Sequence, residues 1–147
     1  MSDVRGLLAE GRKLLSAQSK SPFLDAALIL SFASGLAVDR IYAAGSDPVP
    51  ERVASEYRAH LLRRAAGEPV AWITGVREFF GHGFRVHPGV LVPRPDTECL
   101  VEAAIGALPD SGAVEIHDAF TGSGALGISI ALAARERGLE VLLLLSD

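Results

Sequence analysis

Along the first half of the chain, apolar residues recur at three- and four-residue intervals, the period of a helix with one buried face. Val4, Leu7, Leu8, Leu14 and Leu15 fall on one stripe with Arg5, Glu10, Arg12 and Lys13 between them, which predicts a first helix. Ser21-Pro22 is a good N-cap and first-turn pair, opening a second helix that runs to about Ala33 and is ended by Gly35. That helix is apolar nearly all round (Phe23, Leu24, Leu28, Ile29, Leu30, Phe32), so it is expected at the centre of a small bundle. A short third helix is expected around Val38 to Ala43. Pro50-Glu51 then starts a longer one, with Val53, Tyr57, Leu61 and Ala65 as its buried stripe and Gly67 as its end.

From Pro69 the pattern changes. Phe79-Phe80-Gly81-His82-Gly83-Phe84 has apolar residues flanking two glycines and predicts a hairpin, continued in extended form by Val86 and Val90 to Val92. The glycines and prolines between Gly81 and Gly89 mark a connector between two bodies. After Pro95 comes an amphipathic helix (Leu100, Val101, Ala104, Ile105, Leu108) ended by Pro109. Ala113 to Asp118 then reads as a strand, Ser123 to Arg137 as a helix and Glu140 to Ser146 as a second strand. The unbroken apolar run Val141 to Leu145 is what a parallel strand covered on both faces requires. This is the opening of a doubly wound sheet, and the expectation is a domain cut short. The fold class expected is α/β with an N-terminal all-α domain: a helical bundle over residues 1–75, a β-hairpin linker over 76–93, and the beginning of a Rossmann-like sheet over 94–147.

Composition narrows the function classes. Hydrophobic residues make up 49% of the 147 and charged residues 22%, enough apolar material for a core. A net charge of −4 gives no global field for nucleic acid or anionic membrane. The single Cys99 cannot form an internal disulfide, which fits a reducing cytoplasm. The longest apolar uncharged run, Ala26 to Val38, is too short for a bilayer, and no cleavable signal precedes it. His60, His82, His87 and His117 lack metal-ligand spacing. Arg52, Arg58, Arg63 and Arg64 are expected to form a basic surface on the fourth helix, and Trp72 to be core.

Two stretches carry candidate chemistry. In the first, Asp118-Ala119-Phe120-Thr121-Gly122-Ser123-Gly124 links a strand to a helix, and Gly122, Gly124 and Gly127 satisfy the dinucleotide pattern G-x-G-x-x-G. In dinucleotide sites the first glycine follows the strand almost directly, whereas here Asp118 to Thr121 intervene. A carboxylate at the strand's edge repels pyrophosphate but suits the ammonium and sulfonium of S-adenosylmethionine. Asp147, at the tip of the second strand, is a candidate acceptor for ribose hydroxyls. The second stretch, Leu91 to Glu98, holds Arg94 between Pro93 and Pro95. Pro95 disfavours helical geometry at Arg94, so the helix begins afterwards, capped by Asp96 or Thr97.

Together these stretches resemble the HemK/PrmC family, methyltransferases that modify a glutamine of class 1 peptide release factors with S-adenosylmethionine. The resemblance covers Phe23 to Asp147 and is most specific from Arg64 to Gly124, including Ala65-Ala66-Gly67-Glu68-Pro69-Val70-Ala71. It implies a helical domain that recognises the protein substrate, a hairpin linker and a class I methyltransferase domain. By resemblance, Arg94 and Thr97 lie over the cofactor's methionyl end; Asp118, Phe120, Thr121, Gly122, Ser123, Gly124 and Asp147 complete the cofactor site. Phe79, Phe80 and Phe84 resemble the aromatic hairpin that leans over the substrate side chain. The implied reaction transfers a methyl group to the side-chain amide nitrogen of glutamine in a Gly-Gly-Gln motif.

Two departures follow. The family's Asn-Pro-Pro-Tyr motif is absent, and the chain contains no Asn, so no catalytic residue is assigned and the chain is expected to be inactive by itself. Phe120 stands where the family has the first glycine of its loop and is expected to weaken cofactor binding. The competing readings are a non-catalytic module that binds a translation factor and a dinucleotide-binding oxidoreductase fragment. Self-association through an unpaired sheet edge is a further expectation.

Overall fold

The structure is a computed structural model that describes residues 2–147. Its elements are β1 (Ser2–Asp3), α1 (Val4–Leu15), α2 (Pro22–Ser34), α3 (Val38–Ala43), β2 (Pro48–Val49), α4 (Glu51–Ala65), α5 (Val70–Thr74), β3 (Val76–Phe79), β4 (His82–Arg85), α6 (Glu98–Gly106), β5 (Ala113–Ala119), α7 (Ala125–Glu136) and β6 (Glu140–Ser146). They divide into two compact units, one ending at Thr74 and the other beginning at Gly75.

The first unit is helical, with β1 and β2 joined in a minimal antiparallel pair. Asp3 caps α1 by accepting a 2.7 Å hydrogen bond from the Gly6 N–H. Val4, Leu7, Leu8 and Leu15 bury the α1 stripe, while Leu14 stays exposed. Helix α2 packs against α1, α3, α4 and α5, so it holds the central place its sequence predicts. Its burial is one-sided, however. Ala26, Ala27, Ile29, Leu30 and Ala33 are inside, whereas Phe23, Leu24 and Phe32 remain exposed, because the small alanine face is what lets neighbouring helices approach. Ser21 occupies the N-cap position without a capping side-chain bond. Ser19 Oγ takes over, accepting from the Ser21 N–H at 2.9 Å and donating to Asp25 at 2.7 Å. Gly35 ends the helix in the left-handed conformation expected of a C-terminal glycine.

One close approach organises this core. A Cβ on Gly11 would lie 2.1 Å from Tyr57 Oη and 2.8 Å from Ala26 Cβ, so α1 can meet α2 and α4 only with glycine there. The Tyr57 hydroxyl passes over it and donates to the Leu7 carbonyl at 3.0 Å. Burial first, and then the Glu10 carboxylate, push the Tyr57 phenol well above its ordinary range, against a smaller opposing effect of Arg58. The basic surface expected on α4 is neutralised: Arg52 pairs with Glu56, Arg58 with Glu10 and Glu51, Arg63 with Glu68, and Arg64 with Asp25. Helix α5 follows Pro69, where the sequence pattern suggests no helix, and buries Ile73. No helix is long and apolar enough to cross a membrane among the described residues.

The second unit opens with the antiparallel β3–β4 hairpin, Phe79 opposite His82. Its two turn residues, Phe80 and Gly81, both have positive φ, 49° and 74°, the requirement of a tight two-residue turn with the strands' own twist. Arg94 is extended (φ −97°, ψ 143°), as Pro95 demands, and a 3₁₀ turn over Pro95–Thr97 feeds α6. Neither Asp96 nor Thr97 caps that helix with its side chain, contrary to expectation. The 3₁₀ turn has already put Thr97 into helical backbone, where a capping hydroxyl is misdirected.

Strands β5 and β6 pair in parallel, Ala113 opposite Glu140 through Ala119 opposite Ser146, with α7 as the crossover. Both strands lie within a residue of the predicted ranges. Val101, Ala125, Ile130, Phe79 and Phe84 form the buried core. Cover on both faces of β6 is not what the structure has. Val141 and Leu143 lie against α7, but Leu142 and Leu144 are 56% and 43% exposed, since no described side chain buries the opposite face.

Candidate functional site

The loop between β5 and α7 is held at three points. Asp118, at the C-terminal end of β5, accepts at Oδ2 from the Thr121 hydroxyl and from the Gly127 N–H, both at 2.9 Å. The carboxylate therefore ties the loop to the first turn of α7. Gly127 makes this possible by having no side chain, since a Cβ there would stand 2.8 Å from Asp118 Cβ and 3.0 Å from Leu145. This is the close helix–strand packing that the third glycine of such loops provides. The other two anchors come from β6 and the residue after it. The Thr121 N–H donates to the Ser146 carbonyl at 3.0 Å, and the Gly122 N–H donates to Asp147 Oδ1 at 2.9 Å.

Backbone conformation sets the loop's shape. Gly122 and Gly124 have φ of 54° and 78°, the left-handed region that glycine enters without penalty, and Gly124 is the N-cap of α7. Phe120 also has positive φ, 64°, and is 90% exposed. An aromatic residue in that conformation carries strain of about 1–2 kcal/mol.

A cleft of about 230 Å³ lies beside this loop. The loop contributes Asp118, Phe120, Thr121, Gly122 and Ser123 to it; Arg94 and Thr97 come from the proline segment. Gly124 and Asp147 do not line it, and act through the backbone and the Gly122 bond respectively. Of the aromatic trio, Phe79 reaches the cleft from below, buried to 2% exposure. Phe84 is in the core, edge-on to Phe79 with ring centroids 6.2 Å apart. Phe80 is half-buried at the hairpin turn, where its N–H donates to Glu98 Oε1 at 3.1 Å. Pro93 of the proline segment expected over the cofactor completes the apolar wall together with Leu91, whereas Glu98 of that segment does not line the cleft and instead anchors the hairpin turn, a bond sequence reasoning missed. The signal for Glu98 was a two-residue turn with a free N–H at Phe80 that needs an acceptor.

Chemically, the arrangement sets a fixed carboxylate, a guanidinium, backbone N–H groups and an apolar wall around one cleft. Asp118 Oδ1 accepts no hydrogen bond among the described residues and is left for a cationic or N–H-bearing ligand.

Residues 6–75 match the family described as PrmC N-terminal domain. The chain is similar to proteins named release factor glutamine methyltransferase. It is 42% identical to that of Neisseria gonorrhoeae over 114 residues, which cover 78% of this chain and 41% of the relative. Against Burkholderia pseudomallei it is 44% identical over 108 residues, 74% of this chain and 38% of the relative. Against Escherichia coli it is 41% identical over 124 residues, 84% and 44% respectively. The chain thus spans less than half the length of these relatives.

Proposed function

The chain belongs to the HemK/PrmC family, and we propose that its second unit is the beginning of a Rossmann-like methyltransferase sheet whose cleft receives S-adenosylmethionine. The observation that carries this reading is Asp118. A half-buried carboxylate at the end of β5, with one oxygen committed to Thr121 and Gly127 and the other without a partner among the described residues, suits a ligand that brings an ammonium group. Arg94 would face the cofactor's carboxylate, and Thr97 and Ser123 would offer hydroxyls. Asp147 has Oδ2 left for a ribose hydroxyl while Oδ1 holds the Gly122 N–H. The cofactor, when bound, supplies an activated methyl group.

The full-length family function is methylation of the glutamine side-chain amide in the Gly-Gly-Gln motif of class 1 release factors. On this reading residues 1–75 recognise the release factor, 76–93 link, and 94–147 begin the cofactor domain, with Phe79, Phe80 and Phe84 on the substrate side. An amide nitrogen is a poor nucleophile, so the reaction depends on groups that orient it. These 147 residues contain no Asn, the residue by which the family does this, so on this reading they do not carry out the transfer by themselves. A non-catalytic role in binding a translation factor is the second reading, favoured by Phe120 at the loop position where the family has glycine.

Calorimetric titration tests the cofactor reading. S-adenosylmethionine should bind, Asp118→Asn should weaken it at least tenfold, and Phe120→Gly should tighten it. NAD should give no heat. Binding of NAD instead would move the chain to the oxidoreductases, and binding of neither ligand to the wild type or to Phe120→Gly would leave only the non-catalytic reading. Methyl transfer to a release factor by this chain alone would overturn its assignment as inactive.

A further inference from the structure

A groove of about 340 Å³ opens on the first unit, lined by none of the residues placed at the cleft or on the aromatic hairpin. Its floor is the buried Val4, Leu8 and Ile41. Phe23 of α2 and Tyr42 of α3 stack beside it with centroids 5.7 Å apart and planes 16° from parallel. Both rings are nearly half exposed, at 45% and 48%. Arg5 and Arg12 line the groove from α1. They are seven residues apart in sequence, two helical turns, which sets their Cα atoms about 10.5 Å apart along the axis.

The charge at this place is unlike that on α4. All four arginines there have carboxylate partners, whereas Arg5 and Arg12 have no ion pair among the described residues. Two uncompensated guanidinium groups therefore flank an apolar trough with an exposed aromatic stack, in a chain whose net charge is −4. Guanidinium and aromatic surface together favour a carboxylate-bearing partner with a large apolar side chain.

We propose that this groove docks a protein segment in which two carboxylates flank a large apolar residue. Carboxylates four residues apart on an extended segment, with the apolar residue midway, share one face and lie about 13 Å apart, within reach of two long arginine side chains rooted about 10.5 Å apart. The apolar side chain between them would lie on Val4, Leu8 and Ile41, against the Phe23–Tyr42 stack. Nucleic acid is the poorer occupant: tight phosphate binding uses on the order of six to ten basic contacts, and the groove offers two. For the identity of the partner the inference rests on the release-factor reading; it adds the surface used and the chemistry of the segment bound.

The test measures binding of a fluorophore-labelled class 1 release factor to the full chain by anisotropy. Arg5→Glu/Arg12→Glu should weaken binding at least tenfold, and Tyr42→Ala severalfold. A charge-matched control, Lys20→Glu/Arg40→Glu, changes exposed cations outside the groove and should stay within twofold of wild type. Circular dichroism and the thermal midpoint confirm that each variant is folded. Equal loss in the groove and control variants, or no loss in either, overturns the proposal. So does binding of an oligouridylate that the same groove substitutions abolish. Failure of the wild type to bind the release factor also overturns it, and titration of S-adenosylmethionine into the same sample then tells whether the methyltransferase reading survives.

Discussion

Gly11 is a mid-helix glycine that helix propensity alone would replace. Alanine at such a position is favoured by about 1 kcal/mol in an isolated helix. Here the added Cβ would collide with Tyr57 Oη and Ala26 Cβ, and overpacking of that kind costs about 1–3 kcal/mol. Gly11→Ala should therefore destabilise the first unit in urea unfolding, and adding Tyr57→Phe should return part of the loss by removing the nearer of the clashing atoms. Tyr57 itself makes stability pH-dependent at the alkaline end. Its folded-state pKa is raised above the ordinary phenol value of about 10. The contribution is fully present below that value and is lost as pH rises above it, because the unfolded phenol ionises first. Thermal midpoints measured from pH 8 to pH 11 should fall with a steeper slope in the wild type than in Tyr57→Phe. Phe120 stores strain of the opposite kind, a left-handed backbone on an exposed aromatic residue. The sequence marks Phe120 as a departure from a glycine loop, but its positive φ is a fact of the folded loop.

At the scale of elements, the decisive junction is α7 on β5. Gly127 is not left-handed; it is glycine because Asp118 and Leu145 leave no room for a side chain. Gly127→Ala should lower stability by about 1–3 kcal/mol and displace the Asp118 carboxylate, seen as a loss of hydrogen-exchange protection at the Gly127 amide. Retained protection would mean that α7 can shift as a body without disturbing the loop. Elements whose rules are local were legible in the chain: the α1 stripe, the Pro22 start and Gly35 stop of α2, the hairpin across Phe79 to Phe84, and both parallel strands. Helix α5 was not, since five residues rich in Val, Trp, Ile and Thr are too short to display a helical period and favour strand on propensity. The cap of α6 was misassigned for a related reason. Whether a Thr caps depends on its own backbone angles, which the preceding 3₁₀ turn decided.

Taken whole, the molecule has two cores of different completeness. The first unit buries a continuous set of side chains from Val4 to Ile73. In the second, one face of the β5–β6 pair stays open, with Leu142 and Leu144 on it. Exposed apolar surface beside unpaired strand edges promotes association. Sedimentation velocity should show concentration-dependent self-association that Leu142→Glu/Leu144→Glu reduces; an unchanged distribution would place the contact elsewhere. Helix periods, the glycine–proline punctuation, the acid at the end of β5 and the family likeness were all present in the chain, because each depends on residues a few positions apart. Other features were decided only by folding. They include the neutralised arginines of α4, the Tyr57 hydroxyl over Gly11, and the groove between Arg5, Arg12 and the Phe23–Tyr42 stack. Those pairings join residues far apart in the chain, and it is the packing of helix on helix and helix on strand that brings them within reach.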